Sequence, residues 1–303
     1  MLGLRAFRAA SEGITGTGIS NGRMRIGSEE HKDLFCRSFL DTHEAYEPKD
    51  LPWPDLDEGA LARLRSIPFW SIALQTERDA GLMLDGYAIT ESDPLVRRAI
   101  ALQAYEESRH FRMLSTLVER YGLSGQVEEN EPVPTRRSFI TFGYTECIDS
   151  FIGFGAFRLA REAGFLPDSL VRLFARVLEE EARHIVFFVN WVAYDRTKRG
   201  RGFALLRIPA EVYGYLRALV LHFRIARSAK NAPKFQVSEE VFGEFSLTKF
   251  LDACIAENTD VMAVFEPRLL QPRAVPALGR FFRGVARLLE RKRQPKRAQA
   301  AGV

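Results

Sequence analysis

The chain has 303 residues, 46% hydrophobic and 27% charged, with a formal net charge of +4. That is enough chain for one large domain or two small ones with a sizeable buried core, and the apolar content is ordinary for a globular protein. No apolar run reaches the ~20 residues of a membrane-spanning helix, and no secretory apolar segment opens the sequence. Cys36, Cys147 and Cys254 are odd in number and far apart, with no Cys-x-x-Cys pair. This usage fits a reducing, cytoplasmic setting and excludes a rubredoxin-type iron site or a zinc ribbon.

Residues 1–58 carry Gly, Ser, Thr and Pro clusters and are expected to form an irregular leader of loops and short helices that wraps the core. Its first part sets Arg5, Arg8 and Arg23 against Glu12, which reads as a disordered bacterial-type N-terminus rather than a mitochondrial presequence. A first long helix is expected from about Pro68 to Ile89, with Trp70, Leu74, Glu77, Gly81 and Leu84 along one face. Ser92-Asp93-Pro94 starts a second, which Gly122 stops after Tyr121. A third spans about Arg136 to Ala163, and Pro167-Asp168 opens a fourth that reaches about Thr197. Helices of this size are each about 33–45 Å long, as a bundle enclosing a buried site requires. Three more are expected over about Ile208–Lys230, Leu247–Arg268 and Val275–Arg291, and no strand pattern competes. The domain reading is a leader over 1–58, a bundle over 59–200, and helices over 201–303 completing the same domain with a basic tail.

Two pentapeptides stand out, Glu106-Glu107-Ser108-Arg109-His110 and Glu180-Glu181-Ala182-Arg183-His184. On a helix, Glu107 and His110 leave the same face one turn apart, as do Glu181 and His184. Each pair offers a metal one carboxylate oxygen and one imidazole nitrogen, and two such pairs can hold two metals. A duplicated Glu-x-x-His with one further carboxylate from each of two other helices is how four-helix di-iron proteins are built. Two divalent ions bring four positive charges into the interior, and four carboxylates balance them. The first and third helices supply candidates on their core-facing stripes, Glu77 and Glu146, each one hairpin upstream of a motif. Asp149 is the substitute if the third helix is rotated, and Asp85 a poorer one on the first. His31 and His43 in the leader carry no pattern, and His222 reads as a packed or surface histidine. Phe111, Phe142, Phe157, Phe187, Phe188 and Trp191 are first of all core residues, and would also make an apolar pocket wall.

With these residues in view, the stretch over about 68–197 resembles the ferritin-like di-iron carboxylate superfamily. The Glu-Glu-x-Arg-His form is similar to motifs of its oxygen-activating members: bacterial multicomponent monooxygenases, soluble acyl-carrier-protein desaturases and the p-aminobenzoate N-oxygenase group. The resemblance implies an all-α, ferritin-like four-helix bundle with Glu77, Glu107, His110, Glu146, Glu181 and His184 as metal ligands. Glu107 or Glu146 would bridge, and Glu107, Glu146 and Glu181 would take part in catalysis. Glu106, Arg109, Glu180 and Arg183 would orient the histidines, because a ligand imidazole needs an acceptor on its other nitrogen. Three departures narrow the group. The monooxygenases generally have Asp where Glu106 and Glu180 stand. The N-oxygenases have an extra histidine where this chain has Val177, and ribonucleotide reductases want a tyrosine where it has Leu114.

What the resemblance then implies is an oxidase, hydroxylase or desaturase that activates O2 with two Fe ions, Mn or a mixed Mn/Fe pair being compatible. The substrate would be apolar or carrier-bound, and electrons would come from a separate ferredoxin or reductase, since no Cys cluster or glycine-rich dinucleotide fingerprint is present. The competing expectation is a non-catalytic or iron-storage ferritin-like protein. A homodimer is compatible with either. The C-terminal cations Arg280, Arg283, Arg287, Arg291, Lys292, Arg293, Lys296 and Arg297 face only Glu290 and lie on an amphipathic pattern. They fit peripheral membrane or acidic-carrier contact, whereas nucleic-acid binding has no support beyond this charge.

Overall fold

The computed structural model describes residues 24–200, 204–228 and 246–300, with side chains over 24–200, 209–221 and 246–290. The expectations for residues 1–23, the side chain of His222 and the cations from Arg291 to Arg297 lie outside the described residues or side chains. The described residues are helical with no strand: α1 Glu29–Asp41, α2 Glu58–Arg65, α3 Trp70–Thr90, α4 Pro94–Tyr121, α5 Arg136–Glu162, α6 Asp168–Lys198, α7 Ala204–Ser228, α8 Leu247–Met262 and α9 Ala274–Ala300. None of them is long and apolar enough to cross a membrane.

Local chemistry sets the ends of the central helices. Asp93 caps α4 by accepting from the Leu95 and Val96 amides, Pro94 fills the first turn, and Gly122 ends the helix in the left-handed conformation (φ 60°). The Thr135 hydroxyl accepts from the Ser138 amide at the start of α5. α8 stops at Met262, short of the expected Arg268. Pro267 lacks an amide hydrogen and restricts the residue before it, so the segment leaves the helix.

α3 and α4 pack as one hairpin, α5 and α6 as another, and α3 against α5 and α4 against α6 close the square. Two glycines set these approaches. A Cβ on Gly81 would lie 2.5 Å from Ser108 Oγ of α4, and one on Gly143 would lie 2.1 Å from the Phe188 ring of α6. Both are one turn from the carboxylates expected at the site, Glu77 and Glu146, so the missing side chains let neighbouring helices come close beside them. α7, α8 and α9 lie against α5.

Within the described part of the leader, residues 24–58, one helix is longer than the short helices expected. This α1 is a thirteen-residue helix that packs on both α4 and α6. His31, Phe35 and Phe39 form a buried stripe at four-residue spacing, with Phe39 stacked on Phe187 at 4.9 Å. The Gly- and Ser-rich stretch before it masks this short period. Phe187, Phe188 and Trp191 are buried among other rings, as core residues.

Candidate metal centre

The four central helices bring Glu77, Glu107, His110, Glu146, Glu181 and His184 together inside the bundle. Two groups form, Glu77–Glu107–His110–Glu181 and Glu107–Glu146–Glu181–His184, and within each the donor atoms lie within 4.8 Å of one another. Each group could hold a metal ion. Glu107 and Glu181 belong to both groups; of the two residues expected to bridge, Glu107 is shared and Glu146 belongs to one group. The substitutes Asp149 and Asp85 are exposed and take no part in either group.

The histidines show how the cluster is wired. His110 Nε2 donates to Glu180 Oε2 at 2.8 Å, and His184 Nε2 donates to Glu106 Oε2 at 2.9 Å. The acceptor therefore comes from the opposite motif in each case. The arginines cross in the same way, Arg109 donating to Glu180 at 2.6 Å and Arg183 to Glu106 at 3.0 Å. A carboxylate only accepts, so Nε2 of each imidazole carries a proton and Nδ1 turns inward. His110 Nδ1 lies 3.0 Å from Glu181, 3.5 Å from Glu77 and 3.6 Å from Glu107. His184 Nδ1 lies 3.0 Å from Glu107 and 3.8 Å from both Glu146 and Glu181. Both Nδ1 atoms are buried without an aligned hydrogen-bond partner. An unpaired buried nitrogen facing carboxylate oxygens is costly unless a cation sits between them.

Charge points the same way. Burial raises Glu77 to about 8 and Glu146 well above the usual carboxylate range, with the neighbouring Glu107 and Glu181 charges adding to both. Burial would raise Glu107 too, but His184 holds it down at about 2, while His110 and His184 hold Glu181 low against the same penalty. Burial would lower His110 and His184; the carboxylates around them, Glu107 among them, keep both well above 6.5. Without a metal, protons supply the positive charge that four clustered carboxylates demand. Two divalent ions would supply it without them, and a donor set of carboxylate oxygens and imidazole suits first-row transition metals.

Three participants escaped the sequence reading. Gln103, buried one turn before Glu107, points its amide nitrogen at Glu107 (3.5 Å) and Glu146 (3.4 Å), while its Oε1 has no partner. His43 donates from Nδ1 to Glu106 at 2.6 Å, and the Tyr46 hydroxyl donates to Glu180 at 3.3 Å. The segment after α1 thus touches both orienting carboxylates. It also receives Arg109 on the Glu44 carbonyl at 2.9 Å and Arg183 on Thr42 Oγ1 at 3.1 Å. Gln103 was legible from its place on the Glu107 face; His43 and Tyr46 belong to a loop whose fold no periodicity announces.

Comparison with protein-family models, curated proteins and solved structures finds no match for this chain. The all-helical bundle and its buried carboxylate–histidine cluster are compatible with a ferritin-like protein and stand on geometry alone.

Proposed function

We propose that this protein is a ferritin-like di-iron oxidoreductase that activates O2 to hydroxylate, desaturate or otherwise oxidise an organic substrate. The observation that carries the reading is the pair of overlapping donor groups with Glu107 and Glu181 in common and one inward Nδ1 in each. Glu107 and Glu181 would serve both ions, Glu77 and His110 completing one donor set and Glu146 and His184 the other. A bound pair of ferrous ions supplies two electrons to O2 at one place, which an isolated ion cannot do as readily.

The chain's own residues do the rest. Glu106 and Glu180 fix each imidazole with its lone pair toward the cluster, and Arg183 and Arg109 donate to those carboxylates and hold them in place. The buried ring of Phe39, set against His184 and stacked on Phe187, keeps water from one flank of the cluster. Glu77, with 20% of its side chain accessible, is the most open of the six and marks the side from which O2 and substrate would approach. Electrons would come from a separate reductase or ferredoxin.

The test is anaerobic ferrous loading followed by O2. The proposal expects saturation at about two irons per chain and O2 uptake that stops until external reductant is added. Continued iron uptake into a growing mineral, with no reductant-dependent turnover, would instead make it a storage protein.

A further inference from the structure

The outer face of α9 is apolar where a helix packed on a bundle is ordinarily polar. Leu278, Phe281, Phe282, Val285, Leu288 and Leu289 follow helical spacing and fall on a single arc about 120° wide. They are 46, 63, 49, 38, 60 and 54% exposed. The opposite face is the docked one. A Cβ on Gly279 would lie 2.7 Å from Phe151 of α5, Ala286 is buried, and Arg283 and Arg287 reach Asp252 of α8 at 3.0 and 2.9 Å. These contacts lie on one arc away from the stripe and leave it facing outward. Beyond Glu290 the same helix runs to Ala300 with five cations in its sequence and no acid.

We infer that α9 lies on an anionic phospholipid surface, its stripe entering the headgroup boundary and its basic last turns meeting the lipid charge. The charge decides between occupants. A second copy paired in parallel would set like cationic ends together, and one paired antiparallel would leave both cationic ends without a complement. An acidic carrier protein would be met by outward arginines, but Arg283 and Arg287 both reach Asp252, which leaves less free positive charge beside the stripe. A bilayer offers both complements at once, an apolar layer for exposed phenylalanines and negative headgroups for the cationic end. The inference is independent of the metal centre.

The experiment uses the full chain with vesicles of phosphatidylcholine alone or mixed with phosphatidylglycerol, read by co-sedimentation. The expected result is association with the anionic vesicles only, weakening as salt rises. F281S/F282S should bind at least about tenfold more weakly. I89S, which removes a comparably exposed apolar side chain from α3, should bind as wild type does. Circular dichroism and melting of each variant separate lost binding from lost folding, and the salt series on the unmodified chain stands without any variant. No preference for anionic vesicles, or equal binding by F281S/F282S, would overturn the inference. So would a wild-type dimer that F281S/F282S converts to monomer, which would make the stripe a self-interface, or capture of an acidic carrier protein by this face in preference to vesicles.

Discussion

Glu106 immediately precedes a carboxylate of its own motif, yet its side chain accepts from His184 of the other at 2.9 Å. Glu180 does the same for His110 at 2.8 Å. Each donor group therefore depends on both motifs, one for its histidine and the other for the carboxylate that aims it.

This crossing predicts which ion each variant weakens. Glu106→Gln keeps the shape but loses the charge that fixes His184, so the ion served by Glu146 and His184 should bind about 10–100-fold more weakly. Glu180→Gln should do this to the ion served by Glu77 and His110. Stepwise metal titration should find one near-normal and one weakened equivalent in each single variant, and two weakened in the double. Equal weakening of both equivalents by either single change would break the crossed assignment.

The pKa directions give the metal-free and metal-loaded proteins opposite pH responses. Glu77 rises from 4.5 to about 8 on folding, and His110 and His184 rise well above 6.5, so the folded metal-free chain holds more protons than the unfolded one. The histidines' contribution is whole below pH 6.5 and is lost as pH rises through their folded values; Glu77 adds a loss between 4.5 and about 8. His31, which burial lowers, has the opposite sign but titrates below 6.5. Metal-free protein should therefore melt at falling temperature from pH 6.5 upward. Metal binds only deprotonated ligands, so loaded protein should gain stability over the same range. Calorimetry of both forms across that window is the check, and parallel curves would count against the site.

A third buried histidine, His31, stands apart from the cluster and ties elements of the fold together. His31 Nε2 donates to Asn190 Oδ1 at 2.9 Å, its Nδ1 accepts from the Gly27 amide at 3.1 Å, and Asn190 also bonds both the amide and the carbonyl of Leu270. Asn190 ties α1, α6 and the segment after α8 together. Asn190→Ala would strand several buried polar groups and should cost about 3 kcal/mol in urea unfolding. Its metal content should stay as in wild type, which distinguishes it from the ligand variants.

The sequence showed the six clustered side chains and, through the resemblance, named Glu106, Arg109, Glu180 and Arg183 beside them; it hid the crossed pairing, for a physical reason. Glu-x-x-His spacing is a property of one helix, and the demand for two more carboxylates follows from charge; hence Glu77 and Glu146 were legible. The partners of Glu106 and Glu180 are set by how α4 and α6 meet, which no single-helix pattern contains. His43 and Tyr46 depend on the path of a loop after α1, and α1 itself hides behind glycine and serine. The early end of α8 was readable from Pro267.

The central claim is that two ions share Glu107 and Glu181. Its most direct test is the metal content, by plasma emission, of protein loaded anaerobically with ferrous ion and desalted. Wild type should retain about two ions per chain, Glu77→Ala and Glu146→Ala about one each, and Glu107→Ala and Glu181→Ala close to none. Wild type that retains no metal, or Glu107→Ala that retains as much as wild type, would contradict the account.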